Sequence, residues 1–200
     1  MSGAERPAGL IPRRSTSGAT DMAALPTSLV DVMGVSGSGK STIGKLLARN
    51  LKAEFLEGDD LHPPRNIERM ASGIALTDSD RRDWLLQIAQ QLADARAGRH
   101  ALVVSCSALK RSYRDMLRTA ASQLAFVHLH ALRPLLEARL DARPGHFMPG
   151  SLLDSQLQTL EAPSADERAI TLDATLPPSQ LAAQAASWLA QPFIAPVRKR

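Results

Sequence analysis

Gly34-Val35-Ser36-Gly37-Ser38-Gly39-Lys40-Ser41 fits the pattern G-x-x-x-x-G-K-[ST] without adjustment. Glycines at this spacing let the backbone curl until successive N–H groups point inward, a cradle for a polyphosphate. A helix opening near Lys40 adds its positive dipole end. Lys40 can then reach the β- and γ-phosphates, and the Ser41 hydroxyl can ligate Mg²⁺. Which chemistry follows is a separate question. The DxxG and NKxD elements of GTPases do not follow the loop, and no G-x-G-x-x-G for a dinucleotide is present. A body of about 160 residues is also small for a motor or transporter ATPase. A compact phosphotransferase remains.

Acceptor chemistry is expected further along. Glu57-Gly58-Asp59-Asp60-Leu61-His62-Pro63-Pro64-Arg65-Asn66 follows an apolar run. A carboxylate at the end of a strand beside the phosphate loop faces the ligand crevice. Asp59 can therefore orient or deprotonate an acceptor hydroxyl or hold Mg²⁺, unless it is a loop or capping carboxylate. Ile67 to Trp84 is polar, glycine-interrupted and reads as a helical flap. Ser105 and Cys106 stand where a Walker-B aspartate is expected, which leaves Asp59 as the better Mg²⁺ ligand. Lys110, Arg111, Arg114 and Arg118 with Asp115 form a run of net charge +3, suited to an anionic acceptor. Arg139 and Arg143 share one helical face and precede Pro144-Gly145-His146-Phe147, read as a mobile loop. Such arginines can neutralise charge on a transferring phosphoryl group. Cys106 reads as a small buried residue, and His128 and His130 as structural.

These residues need a scaffold, and the pattern of elements supplies one. Strands are expected at Leu29–Met33, Ala53–Leu56, Leu102–Val104, Leu124–Leu129 and Ala169–Leu172. Helices are expected from Lys40 to about Asn50, from a Ser107 cap to about Arg118, and from Pro134 to near Pro144. Two more cover Ser151–Leu160 and Ser179–Leu189. The alternation predicts an α/β domain around a parallel five-stranded sheet flanked by helices.

Composition sets the outer bounds. Of 200 residues, 44% are hydrophobic and 22% charged, as in an ordinary folded domain. No apolar run approaches the ~18–20 residues that cross a bilayer, so no membrane span is expected. The single cysteine excludes an internal disulfide and fits a reducing, cytoplasmic setting. The net charge of +4 belongs to the ends: residues 1–28 carry +1 and Arg198, Lys199 and Arg200 carry +3, leaving a neutral body. A nucleic-acid partner, which needs a basic stripe on the folded body, is therefore not expected. Residues 1–28 read as a disordered extension, with Met22 an alternative start, 29–191 as the kinase domain, and 192–200 as a basic tail.

Beyond the phosphate loop, several motifs together resemble the bacterial-type gluconokinases. They are Gly58-Asp59 with Leu61-His62-Pro63, Asn66, Met70-Ala71-Ser72-Gly73, Asp80-Arg81 with Trp84-Leu85, Cys106-Ser107-Ala108-Leu109-Lys110, Tyr113-Arg114-Asp115, Gly145-His146-Phe147, and Leu160-Glu161 with Pro163 and Asp166-Glu167. The resemblance covers about residues 29–190. It implies ATP-dependent phosphorylation of D-gluconate on a P-loop NTPase fold of nucleoside-monophosphate-kinase-like type with a mobile lid, often as a homodimer. The implied nucleotide set is Gly34, Val35, Ser36, Gly37, Ser38, Gly39, Lys40, Ser41, Thr42 and Arg139. The implied catalytic set is Lys40, Asp59 and Arg143, with Ser41 and Asp59 on Mg²⁺. The acceptor set is Asp59, His62, Arg65, Asn66, Lys110, Arg114 and His146, with Lys110, Arg114 or His146 gripping the carboxylate. The residues by themselves reach only a small-molecule kinase with an anionic acceptor. A kinase for shikimate or a nucleotide, or a nucleotide-binding regulatory module, stays open at that level.

Overall fold

The computed structural model describes residues 28–142 and 150–192. Five parallel strands, β1 (Leu29–Met33), β2 (Glu54–Glu57), β3 (Leu102–Ser105), β4 (Ala125–His130) and β5 (Ala169–Asp173), form one sheet in the order β2-β3-β1-β4-β5. Every strand expected from the apolar runs is present, with ends shifted by a residue. β1 lies at the centre and is buried along its length. Its side chains alternate between two cores, as strand geometry requires. Leu29 and Met33 join the layer of α3 (Asp78–Ala97) and α4 (Arg111–Ala120). Val30 and Val32 join that of α1 (Lys40–Leu51), α5 (Arg133–Asp141), α6 (Gly150–Thr159) and α7 (Pro178–Leu189). No helix among the described residues is long and apolar enough to cross a membrane.

Because all strands run one way, their C-terminal ends line one edge of the sheet. The loops after β1, β2 and β3 therefore open into a common crevice where the strand order reverses direction at β1.

Two segments differ from the expectation. The flap is α2 (Pro64–Ala71) followed by the start of α3, which runs on to Ala97. Pro64 suits the first turn of α2, and α3 opens on a capping box: Asp80 N–H donates to Thr77 Oγ1 and Thr77 N–H to the Asp80 carboxylate. The helix after β3 begins at Arg111, not at a Ser107 cap. Residues 106–110 form a loop instead, held at each turn by other parts of the chain. Gly34 N–H donates to Ser107 O, Arg114 donates to Ala108 O and Leu109 O, and Glu161 N–H donates to Leu109 O. Ala108 takes φ +42°, a left-handed conformation that these contacts must sustain. The α4 N-terminus is capped by Glu161, whose carboxylate accepts from Arg111 N–H at 2.6 Å.

One residue of the central strand breaks the apolar pattern. Asp31 is fully buried, and its Oδ1 accepts the Cys106 N–H at 3.2 Å while Oδ2 lacks a partner. Burial pushes its carboxyl well above the usual range, against that hydrogen bond and the charges of Lys40 and Arg114.

Candidate active site

The phosphate loop joins β1 to α1 as its motif requires. Gly34, Gly37 and Gly39 all have positive φ, and Gly39 caps α1 in a left-handed conformation. A Cβ at Gly34 would sit 2.8 Å from Leu129 O, and one at Gly37 2.9 Å from Leu136 O, so both curl and space demand glycine. Lys40 Nζ donates to Val35 O at 3.2 Å, folded against its own loop without an acidic partner among the described residues. Ser41 and Thr42 follow in the first turn of α1. Arg139 on α5 reaches back to the loop, donating to Gly37 O and Ser38 O at 3.4 and 3.3 Å and to Ala174 O at 2.7 Å. It ties the phosphate loop to the turn after β5. Arg143 and His146, the expected lid residues, lie outside the described residues.

On the acceptor side, Gly58 opens a 3-10 turn, Gly58–Leu61, directly after β2. A Cβ there would lie 2.4 Å from Ser105 O, so only glycine lets β2 pass β3 at this point. Asp59 is exposed and has no side-chain hydrogen bond or ion pair among the described residues. It is not a cap. His62 stacks on Trp84 with ring centroids 4.2 Å apart, and Trp84 Nε1 donates to Gly58 O at 2.7 Å. Burial lowers the His62 pKa, with Asp59 opposing and Arg81 adding to the shift, so the ring is neutral at pH 7. Arg65 is exposed and paired with Asp83.

Asn66 requires a correction. It is fully buried, donating from Nδ2 to Asp80 O at 2.8 Å and lying 3.4 Å from His62 Nδ1. It braces α2 against α3 behind the cleft and presents no surface to an acceptor.

Arg114 requires a larger one. Its side chain has no exposure, and each of its three nitrogens is engaged. Nε and Nη2 donate to the Glu167 carboxylate at 2.7 and 2.9 Å, and Nη1 donates to Ala108 O, Leu109 O and Glu161 O. Nothing remains for a substrate carboxylate. Arg118 also donates to Glu167, and Arg111 forks onto Asp166. The basic run is largely a structural network.

Burial alone would raise the Glu167 pKa, but hydrogen bonds from Arg114, the Ser164 backbone and Arg118 outweigh it and draw it down to about 2. A depressed carboxylate stabilises the fold above its unfolded pKa of about 4.3, and that contribution fades as pH falls toward 2. The melting temperature should therefore drop across this window. Glu167→Ala strands the Arg114 charge and should cost about 3–5 kcal/mol at neutral pH while flattening the acid slope. Parallel acid slopes in variant and wild type would exclude the pair as their source.

Lys110 lies at the α4 N-cap, and its Nζ contacts both oxygens of Asp78 at 2.8 and 2.7 Å. Tyr113 donates its hydroxyl to Asp78 Oδ1 at 2.5 Å. The Lys110 bond, then the Tyr113 bond, hold the Asp78 carboxyl below its ordinary range. Lys110 is thus already paired within the fold.

Several contributors escaped the reading of residue types. Gln156 on α6 accepts the Ser36 N–H at 2.7 Å, and Glu161 caps α4. Gln156 belongs to none of the quoted motifs, and Glu161 stood in one without a capping role. Asp78 and Tyr113 stood within quoted segments, but only their contact with Lys110 gives them a role. Burial lowers His128 to about 4, with His130 and Arg114 adding; its Nδ1 lies 3.2 Å from Thr171 Oγ1. No group of three metal-ligating side chains occurs among the described residues.

Comparison with known proteins adds to this geometry. A family model described as an AAA domain matches residues 29–163. The gluconokinase of Gluconobacter oxydans is 50% identical over 76% of this chain and 84% of its own length. The thermoresistant gluconokinase of Escherichia coli is 49% identical over 68% of this chain and 78% of its own length. Among solved structures, a gluconokinase from Sinorhizobium meliloti superposes with a TM-score of 0.75 at 49% identity, covering 82% of this chain and 93% of that one.

Proposed function

As a member of the gluconokinase family, the chain is an ATP-dependent kinase that phosphorylates gluconate, and we propose that Lys40 and Asp59 carry the transfer between them. The observation that carries this reading is the unpaired Asp59 carboxylate, set at the end of β2 in the crevice that the phosphate loop shares. Structural carboxylates in this fold are consumed by partners, as Asp78, Asp166 and Glu167 are. Asp59 is left available.

In the proposed mechanism, loop N–H groups and the α1 N-terminus hold the nucleotide phosphates. Lys40 swings from Val35 O onto the transferring group, where its charge counts most as the bridging bond loosens. Asp59 orients the terminal hydroxyl of gluconate for in-line attack and accepts its proton. Arg139 keeps the loop in register, and Arg143 is assigned to charge neutralisation from the lid. The free oxygens of Ser41 and Asp59 are the hard donors that Mg²⁺ prefers, so they fit that ion at the nucleotide. When bound, it would supply charge neutralisation at the phosphates. The buried Cys106, without a disulfide, is compatible with work in the cytoplasm.

A coupled assay of ADP release tests the reading. Gluconate should drive ATP turnover, while shikimate, nucleoside monophosphates and buffer alone should not. Glucose, which lacks the carboxylate, should show a kcat/KM lower by roughly 10- to 150-fold, the worth of one charge-assisted contact of ~1.5–3 kcal/mol. Equal rates with and without gluconate would refute it.

A further inference from the structure

One nearly buried cation on α3 has no partner among the described residues. Arg81 is only 9% exposed, yet its side chain makes no hydrogen bond or ion pair among the described residues. Its nitrogens are also absent from the sealed, unpartnered atoms of the molecule, so the small exposed fraction includes the guanidinium itself. A nearly buried, unpaired arginine is costly, and folds rarely keep one without a ligand to meet it.

Its position is set by α3. Arg81 stands one turn after Asp78 and one turn before Trp84 and Leu85, on the same inner face of the helix. On one side is the Lys110–Asp78–Tyr113 triad, and on the other is His62, stacked on Trp84. Burial dominates the proton affinity of His62 and Tyr113, and their mutual bond dominates that of Asp78 and Lys110. The Arg81 guanidinium lowers all four, which places it among them. His62 in turn senses Asp59 as well as Arg81, so both charges lie within electrostatic reach of its ring.

Charge counting then separates the two candidate cations. Lys110 is matched by Asp78, and His62 is neutral, so the surplus positive charge of this group belongs to Arg81. We propose that Arg81 receives the carboxylate of the sugar acid and is a specificity-determining residue of the acceptor site. Its planar fork suits a bidentate carboxylate, which the compact Lys110 ammonium does not match. Gluconate carries its carboxylate and its reacting hydroxyl at opposite ends of the carbon chain. Arg81, a cation, and Asp59, a carboxylate able to orient a hydroxyl, offer complementary ends. The Lys110–Asp78–Tyr113 triad forms the wall beside the receptor.

This inference rests on gluconate being the acceptor, and the test separates the two claims. Arg81→Met and Arg81→Lys are assayed with gluconate and with glucitol, the uncharged polyol of the same length, alongside gluconate-induced thermal shifts. In Arg81→Met, kcat/KM for gluconate should fall roughly 10- to 150-fold, chiefly through KM. Glucitol turnover and the KM for ATP should stay unchanged. Without ligand, Arg81→Met should melt at or above the wild-type temperature, because an uncompensated charge has gone, and gluconate should no longer raise that temperature. Arg81→Lys should recover part of the preference.

Retention of the gluconate preference and thermal shift in Arg81→Met, with their loss in Lys110→Met, would reassign the carboxylate to Lys110. If both Arg81 variants melt far below wild type and Arg81→Lys keeps the full preference, Arg81 is structural and the proposal is wrong. Wild-type protein inactive on gluconate would overturn the acceptor assignment itself, a result distinct from either.

Discussion

Lys40→Ala is expected to lower kcat/KM by roughly 10²–10⁴, the loss of two charge-assisted contacts of ~1.5–3 kcal/mol each. The loss should fall on kcat more than on ATP affinity, because the loop N–H groups and the α1 N-terminus still hold the phosphates. The fold should tolerate the change. The described hydrogen bond of the Lys40 ammonium is to the Val35 carbonyl, and no carboxylate is ion-paired with it among the described residues, although the buried Asp31 loses one of its favourable charges. Steady-state kinetics with ATP and gluconate, together with a melting curve, checks both halves. Near-normal turnover in a folded variant would remove Lys40 from the chemistry.

The second large effect belongs to Asp59. Asp59→Asn keeps the shape of the side chain but deletes its charge and its capacity to accept a proton. Turnover should fall by about 10²–10⁴, the range for a general base. ATP affinity should change far less, since the phosphate loop is untouched. The structure sharpens this expectation: an exposed carboxylate without a partner has no structural bond to lose. The melting temperature should therefore stay within the small range of a surface substitution. An unfolded Asp59→Asn would mean that the carboxylate supports the turn after β2. A fully active one would move the acceptor hydroxyl elsewhere.

How much of this was legible in the sequence depends on whether the information was local. The phosphate loop was, because spacing, glycine conformation and helix dipole act within eight residues. So were the strands, whose apolar runs are bounded by polar turns. Asp59 was legible as a carboxylate at a strand end, although its freedom from partners was not.

The failures share a cause. Arg114 stood in a basic run with Lys110, Arg111 and Arg118, and residue type alone cannot separate a buried arginine from a substrate-facing one. Its partner, Glu167, is 53 positions away. The Ser107 cap failed for the same reason, since Glu161 caps α4 from 50 positions on. Lys110 was expected to meet an acceptor, but its pairing depends on Asp78, 32 positions earlier. Arg81 went unremarked as a site residue because Arg69 and Arg82 flank it. What distinguishes it is burial without a partner among the described residues, a property that exists only in three dimensions.

The buried arginine network also orders events during synthesis. The nucleotide loop takes its curl from its own glycines once β1 and α1 exist, and Arg139 and Gln156 fasten it from later in the chain. The loop bearing Lys110 waits too, because Arg114 is fastened by Glu161 O and Glu167, and the α4 cap is Glu161 itself. A chain emerging from the ribosome therefore forms the glycine curl of its phosphate loop well before it can fasten the loop of residues 106–110. Until residues 161–167 arrive, Arg114 is an unpaired cation beside a forming apolar core, and α4 lacks its N-terminal partner. Contacts of such long sequence separation close late. Both loops beside β1 are thus fastened only late, the phosphate loop by Arg139 and Gln156 and the Lys110 loop through Arg114 by Glu167.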